Sequence, residues 1–179
     1  VAILVSKCNQ ISSNLMRRRF EDENCAVAQA LGILGDGWTM LIIREAFLGT
    51  RRFGDFQSNL GVAKNVLAQR LQHLVDHQIM ETVDVGRYGR RFEYELTPRG
   101  KDLITLVTAL RQWGDRWIYG KGGEPLIIRD RRTHKRIPRL RLVDESGRPL
   151  RGSDLVLEPG PGASAETHAR FAAIDDSER

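Results

Sequence analysis

The sequence predicts an α+β fold that is mainly α, and three observations carry that prediction. Apolar residues recur at helical spacing through most of residues 24–119, a short alternating stretch with a basic turn interrupts them, and Gly120 to Pro125, with three glycines and a proline, ends the pattern. A chain of 179 residues holds one full domain and an appendage, and is too short for two large enzyme domains. Hydrophobic residues make up 41% and charged residues 28%, which excludes wholesale disorder.

The opening Val1-Ala-Ile-Leu-Val5 runs straight into Ser6, Lys7, Cys8 and Asn9, so neither a membrane span nor a signal peptide is expected there. No membrane partner and cytoplasmic residence are the corresponding expectations. Residues 1–23 read as an N-terminal arm. The cysteines, Cys8 and Cys25, form neither a C-x-x-C pair nor a His/Cys cluster. A disulfide scaffold, a zinc site and a cofactor are therefore not expected, whereas a redox-active thiol stays open.

The elements follow in order. Val27, Ala30, Leu31 and Leu34 share a face, which predicts a helix over Cys25–Leu34 with Asn24 as its N-cap. After Gly35-Asp-Gly37, the spacing of Trp38, Leu41, Ile42 and Ala46 predicts a core helix ended by Gly49. Phe53–Leu60 reads as a short helix closed by Gly61, and Lys64–His77 repeats Leu67, Leu71 and Leu74 on one side. Two short helices joined by a glycine-containing turn make a helix-turn-helix candidate.

Next, Glu81–Val85 and Arg91–Leu96 flank Gly86-Arg-Tyr-Gly-Arg90, and Phe92, Tyr94 and Leu96 alternate with charged residues, so a hairpin with a basic tip is predicted. Thr97 as N-cap and Pro98 at the first helical position then start a long helix running to about Tyr119. Leu103, Leu106, Val107, Leu110, Trp113 and Trp117 line one side of it. A stripe of that length exceeds what a small domain covers, so part of it is expected to face a second subunit.

The whole is a winged helix-turn-helix domain over 24–120 with a long C-terminal dimerisation helix. Beyond it, Leu126–Arg129, Leu140–Val143 and Leu155–Leu157, with a turn at Glu145–Arg148, predict a small β-rich extension over 121–160. Residues 161–179 read as a mobile tail.

Several motifs in this order resemble the HxlR family, relatives of MarR-type regulators. They are Cys25-Ala-Val-Ala28, Leu34-Gly-Asp-Gly-Trp-Thr39, Gly49-Thr-Arg-Arg-Phe53, Val66-Leu-Ala-Gln-Arg-Leu71 and Tyr94-Glu-Leu-Thr-Pro-Arg-Gly100. The resemblance spans about residues 24–119. It implies a bacterial homodimer, paired through its terminal helices, that binds double-stranded DNA and regulates transcription, with repression as the expected mode. Where the family often has Pro after the cysteine this chain has Ala26, and where it has a basic residue before the tryptophan this chain has Gly37.

A recognition helix docked with its N-terminus nearest the bases would present Lys64, Asn65, Gln69 and His73. Asn and Gln pair bidentately with adenine, and Lys serves guanine or a phosphate. Arg51 and Arg52, just before the preceding helix, are candidate phosphate contacts, while Phe53 reads as core. Arg70 lies beside the Leu67/Leu71 face, so packing or an internal ion pair competes with DNA contact. Arg87, Tyr88, Arg90 and Arg91 at the wing tip are placed to straddle the backbone or enter a minor groove.

Cys25 at a helix start is a candidate redox sensor, opposed by the preceding Glu21, Asp22 and Glu23, which disfavour a thiolate. Some members of the resembled family sense oxidants, quinones or aldehydes through a cysteine in this region. Trp113 and Trp117 mark a dimer interface or an aromatic pocket for a small-molecule effector. His73 and His77 stand four apart, but no third ligand completes a metal site. Between Arg129 and Arg141, seven basic residues face one acid, Asp130, a run that either extends a DNA footprint or is simply solvated. The competing readings are an interaction module that keeps the fold without DNA binding, and, far behind, a thiol-dependent enzyme lacking a recognisable base or resolving thiol.

Overall fold

Helical spacing in the sequence becomes helix in space at nearly every predicted position. The computed structural model describes residues 20, 23–86 and 89–177. The chain divides into two compact units, one made of the residues up to Thr39 with Glu158 onward, the other of Met40–Leu157.

In the first unit, α1 spans Ala26–Leu34 and buries Ala28 and Leu34. Its N-cap is Cys25, which supplies no side-chain cap bond. Asn24, expected to cap α1, instead reaches residues far along the chain. Its amide donates to the Gly162 carbonyl at 3.0 Å, and its side-chain oxygen accepts from the Ser164 N–H at 2.8 Å and the Thr167 hydroxyl at 3.0 Å. These bonds tie down the entry to a helix over Ala165–Ser177, in a segment whose polar composition predicted only a mobile tail.

Helix α2 (Gly37–Phe47) carries the chain into the second unit. There Ile42 and Ile43 are fully buried together with Phe56 of α3 (Phe53–Leu60) and Leu67, Leu71 and Leu74 of α4 (Lys64–Asp76). The i, i+4, i+7 leucines give α4 one wholly apolar side, each contributing roughly 1.5–3 kcal/mol on burial. Gly61 closes α3 in the left-handed region at φ 62°, its N–H bonded to the Gln57 carbonyl, a conformation that L side chains adopt at a cost.

Strands β1 (Met80–Asp84) and β2 (Phe92–Leu96) pair antiparallel, with Met80 opposite Leu96 and Asp84 opposite Phe92. Tyr94 meets Phe56 edge-on at 6.5 Å between ring centres, packing β2 against α3. The Tyr94 N–H also donates to the Arg51 carbonyl at 2.8 Å, so the turn before α3 lies along the hairpin.

Thr97 caps α5 (Pro98–Lys101) as predicted, its hydroxyl accepting from the Gly100 N–H at 3.1 Å. The predicted single helix to Tyr119 is broken instead. The chain turns at residues 102–103, resumes as α6 (Ile104–Gly114) and widens into one π turn over Asp115–Tyr119. Gly100 lets α5 lie against the chain entering β1: a β-carbon there would stand 2.1 Å from the Ile79 carbonyl oxygen, so only glycine lets the two backbones approach this closely. Gly114, a poor helix former, sits where the ladder widens.

The predicted sheet of the extension is reduced to two isolated antiparallel bridges, Arg129 with Arg136 and Val143 with Pro149. No strand is formed over 155–157. Pro125, Pro138 and Pro149 remove backbone donors where ladders would have grown. The expected turn after Val143 does form. The Asp144 carboxylate accepts from the Ser146 hydroxyl and from Arg148, which hold its pKa down at about 2.

Candidate nucleic-acid interface

With Leu67, Leu71 and Leu74 turned inward, helical geometry leaves Lys64, Asn65, Ala68, Gln69 and Gln72 exposed together on the outer side of α4. No side chain caps the helix start at Ala63 and no acid stands in its first turn, so the first N–H groups and the positive dipole end are open to an anion. Gln72 donates to Asp76 at 2.8 Å, which leaves Asn65 and Gln69 as the α4 amides with no side-chain partner among the described residues. His73 is half-buried, its ring centre 4.2 Å from that of His77 with the planes tilted by 45°, and the His77 Nδ1 lies 2.9 Å from the His73 carbonyl. Among the described residues no set of three or more His, Cys, Asp or Glu side chains could hold a metal.

What ties α3 to α2 is a polar cluster that sequence reasoning did not single out. Glu45 of α2, only 6% exposed, accepts from Arg44 at 2.7 Å through one oxygen. Its other oxygen accepts from the Thr50 hydroxyl at 3.2 Å and the Asn59 amide at 3.1 Å. Asn59 also donates to Thr50 at 3.2 Å, so α2, the turn and the end of α3 are bound through one carboxylate.

The arginines of that turn are likewise engaged. Arg51 pairs with Glu95, and Arg52 Nε lies 3.0 Å from Glu93 Oε1, each arginine being a little over half exposed. They brace the turn against β2, and a phosphate contact from either would share or displace a carboxylate. Phe53, read as core, is half-buried, and Phe56 is the ring that fills the centre. Arg70 is half-buried beside the leucine face.

At the wing, Asp84 organises the loop base by accepting from the Gly86 and Arg91 N–H groups, each at 3.0 Å. Those two backbone donors hold its carboxyl below the ordinary carboxylate pKa. Arg90 and Arg91 project from this base and are exposed. Arg87 and Tyr88 lie outside the described residues.

Cys25 is exposed at the start of α1. Trp113 and Trp117 are 56% and 63% exposed, joined on the same side of the helix by Leu106 and Leu110, and Arg116 lies over the Trp117 ring at 4.7 Å. An apolar groove of about 520 Å³ opens beside α6, among Met40, Phe47, Val107, Leu110, Tyr119 and Leu126. Neither tryptophan is among the residues that line this groove. Among the described residues no single helix is long and apolar enough to cross a membrane.

Two short helices joined at Gly61, a polar outer face on the second, and a basic hairpin behind it define a helix-turn-helix protein with a wing. The chain belongs to the HxlR-like helix-turn-helix family, whose model matches residues 33–121. It is 37% identical over 152 residues to the HTH-type transcriptional regulator Rv3095 of Mycobacterium tuberculosis, itself uncharacterized, covering 84% of this chain and 94% of the relative. It is 30% identical over 124 residues to the uncharacterized regulator YtfH of Escherichia coli, covering 69% and 95%. Among solved structures it is similar to PA1607, a proposed transcription factor, at 40% identity and a TM-score of 0.72 over 77% of this chain and 96% of that one. PA1374 of Pseudomonas aeruginosa, likewise a proposed transcription factor, matches at 29% identity and a TM-score of 0.58 over 82% and 99%.

Proposed function

We propose that this chain is a DNA-binding transcriptional regulator that docks α4 in the major groove of an inverted-repeat operator as a homodimer. The observation that carries the reading is the α4 face: exposed Lys64, Asn65 and Gln69 beside an uncapped helix start, on a helix anchored by three buried leucines. Arg90 and Arg91, with Arg87 and Tyr88 between the strands, serve the flanking backbone or minor groove. Arg51 and Arg52 support the wing and contact phosphate only by exchanging a carboxylate partner. His73 closes the far end of the face.

The exposed side formed by Leu106, Leu110, Trp113 and Trp117 supports pairing with a second copy, because so much contiguous apolar surface is unfavourable in water. Repression is the proposed mode, since a dimer on its operator blocks access by occupancy alone. Two routes of control fit the geometry. Oxidants reach the exposed thiol of Cys25, and a small apolar effector fits the groove beside α6.

The test is selection of bound duplexes from a random library, followed by titration of the winner against scrambled DNA at two salt concentrations. An inverted repeat with half-site centres about 10 bp or a multiple apart is expected. Asn65→Ala should relax the preference at one base position, while Arg90→Ala should weaken all sequences alike. Absence of enrichment together with absence of salt-dependent binding would overturn the reading. Loss of binding on peroxide treatment, prevented by Cys25→Ser, is the outcome expected of the sensor role.

A further inference from the structure

A dense run of positive charge lies outside the helix-turn-helix, in one short segment. Residues 129–141 hold seven basic side chains and one acid, a net +6 against +5 for the entire chain, so all other residues together are slightly acidic. Residues 1–120, with 16 basic and 13 acidic side chains, are themselves only slightly basic, and the question is what a more concentrated positive patch outside the helix-turn-helix does.

The patch is built, not merely solvated chain. The Ile137 N–H donates to the Ile128 carbonyl at 3.0 Å and the Asp130 N–H to the Lys135 carbonyl at 2.9 Å, closing a tight hairpin. Asp130, the one acid, is turned into the loop, where it accepts from the Thr133 N–H at 2.6 Å and so caps the turn instead of neutralising a neighbour. His134 takes the left-handed conformation at φ 54° that reverses the chain, with its N–H on the Asp130 carbonyl at 2.8 Å.

The base of the hairpin is fastened to α6. Gln112 donates to the Pro138 carbonyl at 3.1 Å and accepts from the Leu140 N–H at 2.8 Å, a two-bond clamp on the backbone. Arg136 pairs with Glu124 at 2.8 Å, and Arg129 donates to the His134 carbonyl at 3.0 Å. Arg129 thereby braces the hairpin internally, and Arg136 ties it to the segment before it. Arg131, Arg132 and Lys135 remain at the tip, exposed and with no ion-pair partner among the described residues.

We infer that this hairpin is a second basic wing, which grips the phosphodiester backbone of duplex DNA flanking the sequence read by α4. The inference rests on the DNA-binding reading above and adds to it a contact outside the residues matched by the family model. Guanidinium and ammonium groups presented from a fastened turn suit phosphate oxygens and carry no base information, so the contact raises affinity and salt dependence without changing preference.

The experiment compares the wild-type chain with an Arg131→Ala, Arg132→Ala, Lys135→Ala triple variant on the selected operator embedded in short (about 20 bp) and long (about 40 bp) duplexes, across a salt series. The triple variant should lose affinity on the long duplex, its log–log salt slope shallower by roughly 0.9 for each phosphate no longer neutralised. On the short duplex it should match the wild type. An Arg131→Lys, Arg132→Lys variant, which keeps the charge, should retain most of the slope, and equal thermal unfolding of all three proteins excludes a folding defect. If the wild type binds neither duplex, the DNA-binding reading itself has failed. If the wild type binds and the triple variant shows the same affinity and slope on the long duplex, the second wing is overturned while that reading stands. Dependence on the hairpin that appears only with single-stranded RNA would also overturn it.

Discussion

Removing the Glu45 carboxylate should loosen the joint between α2 and the helix-turn-helix, and the structure fixes how much. Its two oxygens accept three hydrogen bonds, from Arg44, Thr50 and Asn59, in a site 6% exposed. Hydrogen bonds to a charged group are worth roughly 1.5–3 kcal/mol each when the partner is left stranded. Here Arg44 is 43% exposed along its side chain and Asn59 is exposed, so both regain water once released. The expected cost of Glu45→Ala is accordingly about 2–3 kcal/mol rather than the full sum.

Glu45→Gln keeps the volume and one acceptor, which best serves Thr50 and Asn59, and sacrifices the bond from Arg44; about 1–2 kcal/mol is expected. Urea unfolding of the two variants, of Asn59→Ala and of the Glu45→Ala, Asn59→Ala pair gives the coupling directly, expected near 1 kcal/mol. At about 2–4 °C per kcal/mol for a chain of this size, Glu45→Ala should melt roughly 5–10 °C lower. Agreement of Glu45→Gln with the wild type within about 0.3 kcal/mol would refute the view that this carboxylate is a structural tie.

Gly100→Ala forces its new methyl against the Ile79 carbonyl oxygen, 2.1 Å away in the undisturbed backbone, and should cost at least about 2 kcal/mol in the same unfolding assay. Asp84 has a depressed folded-state pKa, so its support of the wing is complete above its ordinary value of 3.8 and is lost as pH falls through the lower folded value. Amide exchange at Gly86 and Arg91 should therefore accelerate at acidic pH in the wild type, and be fast and pH-insensitive, once intrinsic exchange is divided out, in Asp84→Asn. Trp113→Ala combined with Trp117→Ala should shift sedimentation from dimer toward monomer; an unchanged dimer would place the interface elsewhere.

The parts of the fold read correctly from sequence are those specified by near neighbours. Leu67, Leu71 and Leu74 fix the inner side of α4 by spacing alone, Thr97 with Pro98 fixes the start of α5, and Phe53 and Gly61 bound α3 correctly. What sequence did not disclose depends on partners far along the chain. Asn24 has the look of a cap for the adjacent helix because local rules reward that position, yet its bonds are made with residues 138 to 143 positions away. Arg51 and Arg52 look free for phosphate because Glu95 and Glu93 come after the whole recognition helix. Glu45 goes unnoticed on an apolar helix, since its acceptor role exists only once the turn brings Thr50 and Asn59 to it.

These pairings bear on how recognition is divided. The exposed α4 face has one cation, Lys64, among uncharged amides, and the arginines of the preceding turn are balanced by β2 carboxylates. Such a surface can discriminate bases but supplies little of the counterion release that drives association. On the proposed docking, affinity is assigned to Arg90, Arg91 and the basic hairpin at 129–141, and a contact of that kind acts on all duplexes alike. Neutralising Arg131, Arg132 and Lys135 should therefore weaken operator and scrambled DNA by the same factor, leaving their ratio unchanged, whereas Asn65→Ala should lower the ratio. A ratio that falls with the hairpin charges would mean that its side chains touch bases, and that reading and gripping are not divided between separate elements.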